Sequence, residues 1–469
     1  MPQNFIDCGR EQAFLMPPDV REWLPEGHLA WFVLDAVEAM DLTGFYASYR
    51  QDGHGRAAYE PSMMVALLLY AYARGVRSSR AVERACEEDI AYRVIAANQR
   101  PDHATLARFV ERHEEALAGL FSEALGLCAE AGLVKVGVIA IDGTKVAANA
   151  SRDADRDYDQ IAREILEQAR AVDRAEDERF GEARGDELPP HLSTHGGRRA
   201  WLRDAKRRHE ERRAKEAGPV PRSRPKRLQE AKRRLEEDLA VEHRANAAYE
   251  AWRARGISAD GTRRMAPGAT KPYRPPERPE GKINLTDPDS RLVKATRGWI
   301  QGYNAQAAVN EQQIVLAAEV TIDSPDFGHL EPMVEATETE LEKAGVREPP
   351  KVALADAGYW HQQQMERIVS RGTQVLIPPD ASKRRGARPG WQGGYYAFMR
   401  RVLQTERGRD LYRKRQPMIE PVFAHTKFNR RMERFRRRAR SAARSEWRLI
   451  TATHNLLKLH QHATAPAAA

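Results

Sequence analysis

From about Ala30 to Gly132 the apolar residues recur at helical spacing. Trp31, Leu34, Val37 and Met40 form one stripe, and Met64, Leu67, Leu68, Tyr70 and Ala71 form another. An all-helical N-terminal region is predicted. The pattern then changes. Val136, Val138, Ile139 and Ile141 make a nearly continuous apolar run up to Asp142, and Val352 and Leu354 alternate with alanines toward Asp356. Both read as buried strands that end in an acid. Tyr303 to Val309 and Ile314 to Thr321 predict a hairpin joined at Asn310 and Glu311. A helix over 329–344 follows, with Leu330, Met333, Val334 and Leu341 as its apolar face, then the Asp356 strand, a helix through Met365 and Ile368, and a strand over 374–377. Ile419, Val422, Phe423 and Phe428 return to roughly helical spacing, and Pro417 and Pro421 are tolerated only at or before a helix's first turn. Glu420 is therefore expected near a helix start, turned toward the two aspartates. The predicted order is β, insertion, β, β, α, β, α, β, α.

Between the first strand and the hairpin the composition shifts. Residues 151–282 are dense in Glu, Arg, Lys and Ala, with narrow stripes at Ile161, Ile165, Ala169 and Val172 and at Leu228, Leu235, Leu239, Tyr249 and Trp252. Two long helices packed antiparallel are expected, with a proline-rich exit through MAPGATKPYRPPERPEGK. The basic, glycine-rich SKRRGARPGWQGG reads as a mobile loop. In the N-terminal region a helix from Thr105 carrying Arg108 and Arg112 follows a Pro101-Asp102 break. A DNA-reading helix-turn-helix variant and ordinary core-forming helices explain that pattern equally well.

At 469 residues the chain exceeds one hydrophobic core, and an apolar content of 41% supports more than one. Charged residues make up 30% and the formal net charge is +9, which favours a polyanionic partner, nucleic acid above all. Cys8, Cys86 and Cys128 form no CxxC pair, which argues against disulfides and zinc and for a reducing cytoplasm. No leader is expected at the start, and the longest apolar stretch is too short for a bilayer. In that setting the acids carry the chemistry. A carboxylate taken out of water must neutralise, pair or bind a cation, and two strand-end aspartates could share one metal.

These segments resemble the DDE transposases of bacterial insertion sequences, the insertion sequence 1182 group in particular. The likeness runs over nearly the whole chain: PSMMVALLLYAYARGVRSSRAVE, RPDHATLARFVERH, AIDGTKVAANAS, TDPDSR, GYNAQAAV, ADAGYW and IEPVFAHTKFNRRMERFRRRARSAARSEWRLITATHNLLKL. The resemblance implies an α/β catalytic domain with a ribonuclease H-like mixed sheet flanked by helices, beside an all-α N-terminal domain and a long helical insertion. It implies divalent metal ions on Asp142, Asp356 and Glu420: two Mg²⁺ or Mn²⁺ per site, Asp142 bridging, Asp356 and Glu420 completing one ion each. Magnesium suits such oxygen-only ligands. The family's Tyr, Arg, Glu, Lys signature falls on Tyr412, Arg415, Glu420 and Lys427, with four residues between Arg415 and Glu420 where the commonest form has three.

Arg415 and Lys427 are expected to hold phosphates, and Tyr412 is a DNA-binding candidate with them, for which helix packing is the commoner role. Arg430, Arg431, Arg436, Arg437 and Arg438 belong to an arginine-biased run to Arg448 with few local acids, which favours DNA-backbone contact over a solvated helix. The expected domains are a helical DNA-binding domain at 1–134, the first catalytic strand at 135–150, the insertion and linker at 151–285, the remaining catalytic domain at 286–460 and a disordered tail at 461–469. The expected activity is binding of terminal inverted repeats, metal-dependent phosphodiester hydrolysis and strand transfer into target DNA by a homodimer, with no membrane or small-molecule cofactor. A nuclease that cuts without joining, and an inactive DNA-binding regulator, are the alternatives.

Overall fold

The computed structural model describes residues 20–49, 57–165, 221, 223–254, 275–295, 298–323, 325–380 and 394–465. The basic loop read from SKRRGARPGWQGG, apart from its last residue Gly394, residues 265–274 of the expected proline-rich exit, and the 169 and 172 positions of the first insertion stripe lie outside them.

The chain divides into two compact units. The first holds residues 1–134, 343–346 and 449–469. Its helices are α1 (Leu29–Glu38), α2 (Thr43–Tyr46), α3 (Pro61–Ala73), α4 (Ser79–Glu88), α5 (Ile90–Ile95), α6 (His103–Arg112) and α7 (Glu114–Glu130). α3 buries every residue from Met63 to Ala73, as a helix apolar on all sides must. Pro61 opens it, where the missing N–H costs nothing. α6 starts at His103, two residues before the expected Thr105, because the Asp102 side chain caps it by accepting from Thr105 N at 2.9 Å. Arg108 and Arg112 are exposed on α6.

The second unit holds residues 135–342 and 347–448. Its mixed sheet is built from β1 (Val138–Ala147), β4 (Arg291–Ala295), β5 (Gly298–Asn310), β6 (Val315–Thr321), β7 (Val352–Leu354) and β8 (Gln374–Leu376), in the order β6-β5-β1-β7-β8 with β4 pairing the start of β5. β5 is antiparallel to β1 and β6, while β1, β7 and β8 run parallel. The expected hairpin is present as β5 and β6, with the Asn310 side chain accepting from Gln312 N and Ile314 N in the turn. α9 (Leu330–Lys343) follows β6, and α10 (Gln362–Ser370) carries the chain from β7 to β8.

A two-stranded sheet of β2 (Asp155–Asp157) and β3 (Lys282–Asn284) closes the base of the insertion. The helical residues 158–165 and α8 (Arg224–Ala254) enter a small core of Ile161, Leu228, Ala231, Leu235, Ile283 and Leu285, so both predicted stripes meet as far as they are described. The unit continues with α11 (Gly394–Val402), α12 (Glu406–Arg413), α13 (Arg415–Ala424), a π-helical turn at His425–Asn429 and the start of α14 (Arg440–Thr464). α14 runs helical to Thr464, past the point where a disordered tail is predicted.

The structure departs from the expected strands at two places. β4 has no counterpart in the predicted order, and Asp142 lies in the middle of β1, opposite Ala307, because β5 pairs alongside it as far as Ala147 and Gly302. Pro421 is also not in a first turn: it sits inside α13. A proline there removes the N–H that would bind the carbonyl of residue 417 and pushes that carbonyl aside. Gln313 Nε2 donates to the Pro417 carbonyl at 2.8 Å and replaces the lost bond.

Candidate active site

Three segments meet at the end of β7. The last bridged pair of β1 and β7 is Ala140 with Leu354, and Asp142 and Asp356 each stand two residues further on, in register across the two strands. Asp356 lies two residues past the end of its strand and caps a short 3₁₀ turn, Ala357–Tyr359, accepting from Gly358 N at 2.8 Å. Asp142 accepts from its neighbour Gly143 N at 2.8 Å. Burial raises the Asp142 carboxyl above the ordinary range, the Arg415 guanidinium opposes that, and the Asp356 charge adds to it.

α13 packs its Met418, Ile419 and Val422 side against β1 and β5. Arg415, at its start, shares that side and reaches Asp142 Oδ2 at 2.7 Å, an ion pair with only 12% and 20% of the two side chains exposed. Desolvation would weaken the Arg415 charge, but Asp142, Tyr412 and Asp356 together outweigh it and hold its pKa up. Tyr412 is half-buried beside Arg415, its hydroxyl raised by burial. Glu420 follows Arg415 by five residues, about 140° round a helix of 3.6 residues per turn, and is exposed. α13 thus presents Arg415, rather than Glu420, to the aspartates.

Asp142 and Asp356 are brought together; Glu420 is not. Carboxylate oxygens are the right donors for a hard divalent cation, but their placement does not form a ligand set. Among the described residues no group of three or more His, Cys, Asp or Glu side chains is arranged to hold a metal ion.

The basic residues divide sharply. Lys427 is half-buried and donates to the Lys145 carbonyl at 2.8 Å, and burial lowers its pKa. Arg430 is 4% exposed, so a phosphate does not reach it in this fold. Arg437 is half-buried, while Arg431, Arg436 and Arg438 are exposed. Further along the run, Arg444 grips Glu319 with bonds of 2.5 and 2.6 Å, and Arg448 pairs with Glu340 at 3.0 Å. Phe435 and Trp447 are core residues, not stacking platforms.

One residue of this region went unread in the sequence. Asp326, in the segment after β6, accepts from Asn304 Nδ2 at 2.7 Å and Gln306 Nε2 at 2.8 Å, with Lys145 Nζ at 3.4 Å. Burial holds the nearby Tyr359 hydroxyl well above its usual pKa, and Asp326, Asp142 and Asp356 add to that in turn. Its only sequence signal was a polar DSPD immediately after a predicted strand, which reads as a turn.

Residues 18–112 match the family model described as Transposase domain (DUF772), and residues 252–456 match the Transposase DDE domain. No curated protein and no solved structure matches the chain. No helix among the described residues is long and apolar enough to cross a membrane. The second match contains Asp326, Asp356 and Glu420 and begins after Asp142. Together the two matches support a transposase of the DDE kind.

Proposed function

We propose that the chain binds the ends of an insertion sequence, hydrolyses a phosphodiester bond there and joins the freed 3′-hydroxyl to target DNA, with Asp142, Asp356 and Glu420 as its catalytic acids. The observation that carries this reading is the convergence of Asp142, on β1, and Asp356, just past the end of the neighbouring parallel β7, each two residues beyond the last bridged pair of the two strands, inside a chain that matches two transposase models. The strand order β6-β5-β1-β7-β8, antiparallel on one side and parallel on the other, supports a ribonuclease H-like core, and the motifs support the insertion sequence 1182 group.

Metal dependence, with Mg²⁺ or Mn²⁺ on the three acids, enters from the family match and the oxygen-only donor set. Glu420 must move from its exposed position on α13 to join the aspartates. The chain's own groups contribute charge and positioning. Arg415 neutralises Asp142, and Gly143 N and Gly358 N each fix one carboxylate oxygen. The exposed Arg431, Arg436 and Arg438 are the residues we assign to DNA phosphates, with Arg437 beside them; Tyr412, Arg415, Lys427 and Arg430 would contact DNA only after local rearrangement.

We assign 1–134 to DNA-end binding, 151–285 to the insertion, and the assembly on DNA to a homodimer acting in the cytoplasm. A nuclease that does not join strands is separated from this reading by one assay. Duplexes carrying the flanking sequence of the gene, intact and pre-cleaved, are incubated with the protein and Mg²⁺ or Mn²⁺. Joined products from the pre-cleaved ends, lost in Asp142→Asn and Asp356→Asn, are expected. Cutting without joining would leave the nuclease, and neither product would leave only a DNA-binding protein.

A further inference from the structure

The face of the sheet opposite the Asp142 side chain holds a polar cluster that the reading above does not use. Asp326 Oδ1 is the acceptor for three donors, Asn304 Nδ2, Gln306 Nε2 and Lys145 Nζ. The Tyr359 hydroxyl donates to Gln306 Oε1, which ties the turn after Asp356 into the same cluster.

Two glycines bring this cluster against the acids. Side chains alternate faces along a strand, so the side chain that Gly143 lacks would lie opposite that of Asp142. A Cβ there would stand 2.5 Å from Asp326 Oδ1 and 2.6 Å from Asn304 Oδ1, and against Gln306 Nε2 as well. At Gly358, two residues after Asp356, a Cβ would stand 3.7 Å from both Cβ and Oδ2 of Asp326, and 2.9 Å from Asp356 Oδ1. Asp326 therefore packs beneath both acid-bearing segments. The N–H groups of the same glycines aim the acids, each donating to its aspartate at 2.8 Å.

We propose that Asp326 is a positioning residue of the active site: anchored by Asn304, Gln306 and Lys145, its carboxylate fixes the backbone at Gly143 and Gly358 and so the orientation of Asp142 and Asp356. This rests on the reading of those two aspartates as the catalytic pair. Catalytic groups must be held to within roughly 0.5 Å, and a misplacement of about 1 Å costs on the order of 100-fold in rate.

The test uses the full chain with Asp326→Asn, and Asn304→Ser as a milder variant that removes one donor. Two readouts are taken: backbone hydrogen exchange at Gly143 and Gly358 without DNA, and cleavage of a duplex bearing the gene's flanking sequence. Exchange at the two glycines should rise about 10-fold in Asp326→Asn with β6 and α9 unchanged. Cleavage kcat should fall about 100-fold at constant KM. Asn304→Ser should show the same pattern with about a 10-fold loss, and it decides alone if the first variant does not fold. Unchanged exchange at the glycines, a uniform rise across the whole sheet, or undiminished cleavage overturns the proposal. If the wild-type chain cleaves no DNA, the functional reading fails and the exchange experiment still decides the role of Asp326.

Discussion

Replacing Arg415 with methionine tests the charge balance at the centre of the site. The guanidinium lies 2.7 Å from Asp142 Oδ2, and the two side chains are 12% and 20% exposed. Breaking a fully buried ion pair from one side costs roughly 3–5 kcal/mol, because the abandoned charge stays behind. Partial exposure screens some of this, so about 2–3 kcal/mol is expected for Arg415→Met. The penalty has a ceiling. Burial already lifts the Asp142 pKa and Arg415 holds it down, so removing Arg415 lifts it further until the carboxyl takes up a proton. A carboxyl whose folded pKa exceeds its unfolded one keeps a proton that the unfolded chain has lost, so stability falls as pH rises through the folded value. Arg415→Met should therefore cost more at pH 8 than at pH 5.

Urea denaturation of wild type, Arg415→Met, Asp142→Asn and the double variant at both pH values measures this. The Arg415→Met penalty should shrink in the Asp142→Asn background, with a coupling of about 1–2 kcal/mol. Additivity within about 0.3–0.5 kcal/mol, or a penalty equal at the two pH values, would refute the reasoning.

Asp287 supplies an independent titration. It is fully buried with Oδ2 unpartnered, and burial pushes its pKa from 3.8 up to about 6. Charging it in the folded state costs about 3 kcal/mol at neutral pH, at about 1.36 kcal/mol per unit. The wild type should lose that stability between about pH 4 and 6, and Asp287→Asn should not; a Tm difference between them that is the same at pH 4 and pH 7 contradicts this. Replacing Arg431, Arg436 and Arg438 together by alanine should lower the slope of log K against log salt by about 3, at roughly 0.9 per phosphate contact on duplex DNA, in fluorescence-anisotropy titrations; an unchanged slope removes them from the DNA surface. Gln313→Ala should cost only about 0.5 kcal/mol, since the exposed Pro417 carbonyl can turn to water, and still less when Pro421→Ala restores the helical N–H. Equal costs in both backgrounds would show that Gln313 does not compensate for the proline.

Periodicity carried most of the architecture. The β5–β6 hairpin, α9, α10 and the α8 stripe all occur near where apolar spacing put them, since each buries one continuous face. What escaped depends on partners remote in the chain. β4 contributes only Val293 to the core, and its Leu292 is 43% exposed, so no alternating run marks it. β1 continues past Asp142 through Gly143, Thr144 and Lys145 because β5 supplies backbone partners that a single segment cannot announce. The arginine run looks short of acids because its acids arrive from elsewhere: Glu319 from β6, which takes Arg444 and Arg448, and Glu340 from α9, which takes Arg448.

The site depends on remote partners in the same way. A carboxylate withdrawn from water has three resolutions, and sequence alone does not choose among neutralisation, pairing and a bound cation. Asp142 is paired in this fold, with a guanidinium 273 residues away along the chain. Asp142 and Asp356 repel one another across neighbouring strands, and Arg415 relieves that repulsion from the helix that also carries Glu420. A change that draws Glu420 toward the aspartates would turn α13, and so move Arg415 away from Asp142. Arg415 and Glu420 lie on different sides of one helix, so under the proposed function the cation at Asp142 and the approach of Glu420 are alternatives to each other rather than independent events.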